Sequence, residues 1–206
     1  MQHSLALTGA VSGQRPPTRD ISDQELMALI AGNDQGAMRV LFVRHHVRTF
    51  RFVLRIVGHQ HTAEDVVSEV FLEIWRKADR FEARSQVTTW ILGIARHKAL
   101  RTLRALKRRS TVASEADGLE SVEDLTDNPE VAMQKSERGV LLRDCLKQLS
   151  PAHREIIDLV YYHERSIGDV ASIIGIPVNT VKTRMFYARK RLAELMAARG
   201  IEPALL

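Results

Sequence analysis

Apolar residues recur along positions 22–106 at the three- and four-residue spacing that places them on one face of an α-helix. Polar breaks divide this stretch into four predicted helices. The first begins at Ser22, which forms a Ser-x-x-Glu capping box with Glu25, and the second runs from about 34 to 57 and stops near Gly58. No part of the stretch alternates with a period of two for long, so we expect an all-α domain.

The third and fourth helices have the most regular apolar faces. The third is expected to start after Thr62, whose hydroxyl would cap it while Asp65 reaches back. The fourth is expected to begin near Val87 and to continue through Leu106. The apolar face of the third helix consists of Val66, Val67, Val70, Phe71, Ile74 and Trp75, and that of the fourth of Val87, Trp90, Ile91, Ile94 and Ala95.

A second helical domain is predicted over 131–199. Its first helix passes through Cys145 and Leu149 and is expected to end at Ser150. Ser150 would then cap the next helix, because Pro151 stands at the first helical position, where a missing amide hydrogen costs little. Two further helices complete this domain.

These last two helices have the features of a helix-turn-helix over 166–184. Ser166 and Asp169 form a capping box at the start of the first helix. Gly175 stands where the turn needs a positive φ, and Pro177 begins the second helix. An ordinary helical hairpin with a basic solvent face would share some of these features, but their combination favours DNA binding.

The side chains around the turn support this interpretation. Ala171 is small where two crossing helices must come close, and Val181 is expected to pack back towards it. Every charged residue between 170 and 193 is positive. The second helix presents donors suited to base edges and phosphates, and the candidates for DNA contact are Asn179, Thr180, Lys182, Thr183, Arg184, Phe186, Arg189 and Lys190.

Charge reverses sharply between the two domains. Residues 83–114 contain no acidic side chain, whereas residues 115–130 contain no Lys or Arg. The second stretch is poor in large apolar groups and is predicted to be a flexible acidic linker within 111–130. A solvated spacer is the plainer interpretation of that run; shielding of the basic face is the alternative. Positions 1–20 and 200–206 are expected to be tails.

Composition narrows the class of protein further. The net charge of the 206-residue chain is +5, which suits a polyanionic partner. The single cysteine, Cys145, excludes an internal disulfide, and neither a signal peptide nor a membrane-length apolar run is evident. We therefore expect a cytoplasmic protein without membrane insertion. The eight histidines show no metal-ligand spacing, and no catalytic motif or cofactor site is evident, so no metal, cofactor or enzyme activity is predicted.

The chain resembles the extracytoplasmic-function (ECF) group of bacterial RNA polymerase sigma factors. The likeness covers roughly 20–110 and 135–197, in family order and with the linker in place. Two blocks carry it: AEDVVSEVFLEIW at 63–75 with TWILGIAR at 89–96, and LSP at 149–151 with Arg154, Glu155 and the helix-turn-helix. The resemblance implies a two-domain, non-enzymatic protein that binds core RNA polymerase and promoter DNA, and commonly also an anti-sigma factor.

The same resemblance assigns roles to the first domain. The helix from 63 would dock on polymerase, with Asp65 and Glu69 as acidic contacts and with Phe71 and Trp75 as apolar contacts or their support; a core role for the two aromatics is the stronger alternative. The following segment would open the minus-ten element, which requires capture of an unstacked base. Its candidate residues are Arg84, Ser85, Gln86, Thr88, Arg96, Lys98 and Arg101.

Three residues depart from the family pattern. His97 stands where Asn is frequent, and Arg101 stands where an acidic residue is frequent. Tyr187 occupies a place in the minus-thirty-five reader where Arg is common. Trp90 has two interpretations, a core anchor or a wall of the base pocket, and burial of aromatics favours the first.

Two other functions are compatible with parts of the sequence. An autonomous helix-turn-helix repressor would bind duplex DNA as a dimer without polymerase, but it leaves the first domain unexplained. A metalloprotein would explain the histidine pairs around 45 and 60, but the ligand spacing is missing.

Overall fold

The computed structural model describes residues 21–112 and 137–200, and every regular element in these ranges is helical, as the sequence predicts. The acidic stretch 115–130, the predicted tail 1–20 and all of the predicted tail 200–206 except Gly200 lie outside the described residues. The helices are α1 (Asp23–Ala31), α2 (Gln35–Val57), α3 (Gln60–Lys77), α4 (Val87–Val112), α5 (Glu137–Lys147), α6 (Pro151–Ile157), α7 (Ile167–Ile174) and α8 (Val178–Ala197). A 3₁₀ turn, Ala78–Arg80, follows α3, and a π-helical turn, Asp158–Tyr162, extends α6.

The first domain packs α2 against α1, α3 and α4. Both ends of α2 are fixed by local chemistry: the Asp34 carboxylate accepts from the amide of Ala37 at 2.9 Å, and Gly58 ends the helix at φ 82°. The predicted capping box of Ser22 and Glu25 is present. The core of this domain includes Leu41, Phe52, Val53, Val70, Ile74, Ile91, Leu92 and Ala95, all buried.

The predicted start of the third helix is wrong. α3 begins at Gln60, its N-cap is His59, and no side chain caps it. The amide of Ala63 donates to the His59 carbonyl at 2.9 Å, so the first turn closes before the Thr62 hydroxyl could act as a cap. Asp65 pairs instead with the His61 ring at 3.3 Å, one helical turn away.

The second domain packs α6, α7 and α5 around α8. Its first helix ends at Lys147, three residues before the expected Ser150, because a tightened turn bonds Gln148 to Cys145. Ser150 caps α6 as predicted, accepting from the amide of His153 at 3.3 Å. Ile156, Leu159, Ala188 and Leu192 are among its fully buried side chains.

The two domains contact each other extensively, which the sequence did not indicate. α4 of the first domain packs along α7 of the second. None of the helices in the two described ranges is long and apolar enough to cross a lipid bilayer.

Candidate nucleic-acid interface

The turn between α7 and α8 has the geometry that the sequence predicted. The Ser166 hydroxyl accepts from the amide of Asp169 at 3.1 Å, and the Asp169 carboxylate accepts from the Ser166 amide at 3.3 Å. Gly175 lies at φ 76°, where a Cβ would be strained, and its amide donates to the Ala171 carbonyl at 2.8 Å. Pro177 is extended and serves as the N-cap of α8.

Helix α8 separates its side chains into two faces. The inner face is buried and consists of Val181, Met185, Ala188, Leu192 and Leu195. The outer face carries the exposed candidates for DNA contact, which are Asn179, Lys182, Thr183, Phe186, Arg189 and Lys190. Thr180 and Arg184 lie between these faces and are half-buried. The Thr183 hydroxyl donates to the Asn179 carbonyl at 3.0 Å, so its oxygen can still accept a further bond.

Two aromatic rings also stand on the outer face. Phe186 is 58% exposed and Tyr187 is 54% exposed, and their rings meet edge to face at 5.4 Å. Large rings left in solvent on a basic helix indicate a contact surface. Tyr187 was not among the predicted contacts, although its aromatic side chain next to Phe186 was a signal for it.

The seven predicted minus-ten residues line the loop before α4 and the first turns of that helix. Arg84 and Arg101 are exposed, and Ser85 and Thr88 are half-buried. Arg84 pairs locally with Glu82, and the Ser85 hydroxyl donates to the Gln86 carbonyl at 3.4 Å. The other three are bonded to more distant parts of the protein: Gln86 and Arg96 pair with the second domain, and Lys98 pairs within the first. These residues therefore lie along one loop and the helix that follows it, but several of them are already bonded to other parts of the protein.

A cavity of about 430 Å³ lies on this surface. Its walls are both polar and apolar, and Trp90 is half-buried against Phe81 at a ring distance of 5.4 Å. Trp90 thus packs on the core and also faces the cavity. The lining residues are Glu73, Ser85, Thr89, Trp90, Gly93, Ile94, His97, Ser172 and Ile173.

The cavity rim carries a compact ion-pair network. Lys98 Nζ lies 2.9 Å from one oxygen of Glu73 and 3.3 Å from Glu69, and Lys77 Nζ lies 2.7 Å from Glu73. The hydrogen bonds from Lys77 and Lys98 lower the pKa of Glu73 to about 2. Burial works against the charge of Lys98, but its bonds to Glu73 and Glu69 still raise the pKa of its ammonium group.

Comparison with known proteins decides the family. Residues 41–109 match the model of sigma-70 region 2, and residues 139–192 match that of sigma-70, region 4. The ECF RNA polymerase sigma factor SigL of Mycobacterium tuberculosis is 28% identical over 172 residues, which cover 83% of this chain and 95% of that protein. SigK of Mycobacterium bovis, also an ECF RNA polymerase sigma factor, is 26% identical over 180 residues, covering 86% and 95%.

This chain belongs to the ECF sigma factors. Its function is that of a sigma factor in transcription initiation, because an autonomous helix-turn-helix regulator would not account for the match to region 2. The predicted family and function are therefore confirmed.

Solved structures agree on the fold of this sigma factor. CnrH, in complex with the cytosolic domain of CnrY, superposes with a TM-score of 0.61 at 24% identity, covering 85% of this chain and 97% of that one. The sigma factor RpoE, in complex with the anti-sigma factor NepR from Bartonella quintana, gives 0.59 at 24% identity, covering 77% and 96%.

The four predicted polymerase contacts of this sigma factor lie on α3 but differ in access. Asp65 and Glu69 are exposed. Phe71 is only 4% exposed, and Trp75 is half-buried against the core. The Phe71 side chain can therefore support a contact surface but presents almost nothing to a partner.

A second apolar surface lies beside these residues and was missed by the sequence reasoning. We call it the docking patch; it consists of Phe42, Val43 and Val47 of α2 and Leu72 of α3, which are 39–65% exposed. The Phe42 ring packs edge-on against Phe71 at 4.8 Å and stacks on His46 at 4.7 Å. The sequence did contain a signal for this patch, because Phe42, Val43 and Val47 lie outside the buried face of α2.

No group of three or more His, Cys, Asp or Glu side chains within 21–112 and 137–200 is arranged to hold a metal ion. Cys145 is buried as a free thiol.

Proposed function

We propose that this sigma factor binds core RNA polymerase through the docking patch and reads a bipartite promoter, with α8 on the minus-thirty-five element and α4 on the minus-ten element. The observation that carries the proposal is the division of α8 into an apolar inner face and an outer face whose charges over 178–193 are all basic. A helix of this kind can lie in the major groove while its inner face holds it on the domain.

The outer face of α8 offers two kinds of contact. Lys182 and Asn179 stand near the N-terminal end of the helix, where side chains reach base edges. Arg189 and Lys190 stand about two turns later, where they would meet backbone phosphates. The exposed Phe186 ring suits apolar contact with a thymine methyl group.

The minus-ten assignment rests on the loop before α4 and on the cavity beside it. Ser85 and Thr89 supply hydroxyls, and Trp90 supplies an aromatic wall. This mixture suits a base that has left the stack. Arg84, Arg96 and Arg101 would guide the strand backbone past the cavity.

The polymerase assignment rests on the docking patch and its charged border. Four apolar side chains stand in solvent on adjoining helices, and Asp65 and Glu69 flank them on α3. An exposed apolar patch with a charged rim is typical of a protein–protein contact surface. The acidic rim suits a partner with basic side chains.

We extend the proposal to location, regulation and domain limits. A factor that works with RNA polymerase acts in the cytoplasm without inserting into the membrane. The two solved relatives are complexes, one of them with an anti-sigma factor, and we propose an anti-sigma partner here as well. We place the functional domains at 21–110 and 131–199, joined by the acidic stretch.

The test is transcription in vitro with core polymerase on genomic fragments, followed by mapping of start sites. We expect new start sites that require this protein. Val43→Arg in the docking patch should lower polymerase capture and transcription together, since it places a cation on a surface suited to a basic partner. Val140→Arg is the matched control, an exposed valine outside the patch.

Two results would count against the proposal. Sequence-specific duplex binding by the free protein at physiological salt, with no polymerase-dependent start sites, would contradict the proposal. An equal loss of polymerase capture in Val43→Arg and Val140→Arg would show that the docking patch is not the polymerase contact.

A further inference from the structure

The helix-turn-helix domain lies across the minus-ten surface of α4. Thr89 on α4 is 3% exposed, and its hydroxyl donates to the Asp169 carboxylate on α7 at 2.9 Å. Next to this bond, Ser172 and Ile173 of α7 form one wall of the cavity that Trp90 lines from α4. A base entering this cavity would therefore meet α7.

Arg96 has the most complete set of bonds across the two domains. Its Nε and Nη2 donate to the two carboxylate oxygens of Glu155 at 2.7 and 3.2 Å, and its Nη1 donates to the Ile174 carbonyl at 3.3 Å. Arg96 and Glu155 are 20% and 17% exposed. Arginine binds a phosphate with the same fork of donors. Glu155 thus occupies on Arg96 the position that a DNA phosphate would take.

A third minus-ten residue is also engaged. Arg165, in the loop before α7, donates to the Gln86 side-chain oxygen at 2.6 Å. The second domain, through α6, α7 and the loop between them, thus contacts the loop before α4 and the first and third turns of α4.

The interface continues onto α2 of the first domain. Arg51 donates to the Tyr162 hydroxyl at 2.5 Å, and Arg55 pairs with Asp158 while lying 4.4 Å above the Tyr162 ring. Cation–π contact and ion pairing on a partly buried surface stabilise the docked arrangement on this second side. The π-helical turn places Asp158 and Tyr162 for these contacts.

Other functional surfaces remain open in the same arrangement. Lys182, Arg189 and the Phe186 ring on the outer face of α8 are exposed. The docking patch is exposed as well. Domain contact therefore covers the minus-ten surface and leaves the duplex-reading and polymerase-binding surfaces accessible.

We propose that the free sigma factor is closed on itself, with Glu155 and Asp169 of the helix-turn-helix domain competing against the promoter strand for the minus-ten surface. The inference rests on the proposed role of α4. Arg96 cannot form the same bonds to Glu155 and to a phosphate at once, so single-strand binding requires the domains to separate. Duplex binding by α8 does not require the domains to separate.

The first test measures domain separation without DNA or polymerase. Spin labels are attached through the substitutions Arg80→Cys and Gln148→Cys, one exposed site in each domain. The distance distribution between them is recorded by pulsed electron paramagnetic resonance. We expect one narrow distance in the otherwise unchanged protein. Glu155→Gln should add a population at longer distances, and Glu164→Gln, an exposed carboxylate of the same domain, should not. Thr89→Val provides a second variant, altered on the other side of the interface.

The second test measures binding of pools of random 20-nucleotide single strands and duplexes to the same proteins. Glu155→Gln should raise single-strand affinity by roughly tenfold, because the binding-competent open fraction rises. Its duplex affinity should stay equal to that of Glu164→Gln, which controls for the lost negative charge.

Two results would overturn the closed state. One is a broad distance distribution in the unchanged protein; the other is a single-strand gain in Glu155→Gln no larger than in Glu164→Gln. Failure of the proposed function would look different, since the protein would then close and open as described but direct no transcription with core polymerase.

Discussion

At the scale of single residues, His163 is the least satisfied polar side chain at the domain interface. It is 1% exposed, its ring lies edge-on to Phe52 at 5.4 Å, and neither ring nitrogen has a hydrogen-bond partner among the described residues. The nearest carboxylate oxygen, on Asp158, is 3.6 Å away, which is longer than a hydrogen bond. Burial first, and then the positive charges of Arg55, Arg48 and Arg165, lower the pKa of His163 to about 3.

The pKa shift of His163 predicts a loss of stability in mild acid. The folded protein keeps this imidazole neutral, whereas the unfolded chain protonates it below its ordinary pKa of 6.5. Its contribution is therefore complete above 6.5 and declines as pH falls towards 3. Between about pH 7.5 and about pH 5 the free energy of unfolding should fall by roughly 2 kcal/mol through this residue.

The measurement is urea unfolding at both pH values. His163→Phe should remove most of the decrease, since phenylalanine keeps the contact with Phe52 and binds no proton. His59→Gln, an exposed site, should keep it. The acidic groups do not interfere, because the lowered pKa values of Glu73 and Asp169 mean that their stabilisation is lost only in stronger acid. An unchanged pH dependence in His163→Phe would contradict the assignment.

At the scale of elements, α8 is expected to divide its work along its length. Lys182 follows the fully buried Val181 and stands near the N-terminal end of the helix, the end that is proposed to enter the groove. Lys182→Ala should relax preference at one or two base pairs of the upstream element, at a cost on the order of 1–3 kcal/mol there. Arg189→Ala should weaken all promoters about equally and lower the salt slope by roughly one unit, because it loses a phosphate contact.

A transcription assay over a library of upstream-element variants, repeated at several salt concentrations, separates these two roles. If Lys182→Ala lowers every variant alike while Arg189→Ala changes their ranking, the roles are reversed. Both side chains are exposed on α8, so neither substitution should disturb the core of the domain.

At the scale of the whole molecule, the interface between the domains should outlast a cut between them. The acidic, core-poor composition of 114–129 predicts first cleavage there in limited proteolysis. The two fragments should then elute together from a sizing column at low salt, because ion pairs, a cation–π contact and the packing of α4 on α7 join them. High salt and Glu155→Gln should each favour separate elution.

Protection of 114–129 with first cleavage inside 63–106 would show that the domain boundary is misplaced. Fragments that separate at low salt would show that the interface depends on the tether. The assay requires neither promoter nor polymerase, so it tests the architecture alone.

What the sequence determined by itself was local. Helix periodicity, the capping boxes at Ser22 and Ser166, and the positive φ of Gly175 depend on residues a few positions apart, and all of them are present in the structure. The same local logic separated the two faces of α8. It failed at Thr62, because α3 starts without a side-chain cap: the Ala63 amide donates to the His59 carbonyl, and backbone bonding alone closes the first turn.

Only the tertiary structure decided which surfaces are covered. Arg96 and Glu155 are 59 residues apart, and Arg51 and Tyr162 are 111 apart, so periodicity within one helix gives no information about their pairing. Each of these side chains ends in a charged or polar group, which is typical of a solvent-facing position on a helix. Their partial burial follows from the docking of the second domain on α2 and α4, a choice among helix faces that depends on the complementary shape and charge of two whole domains.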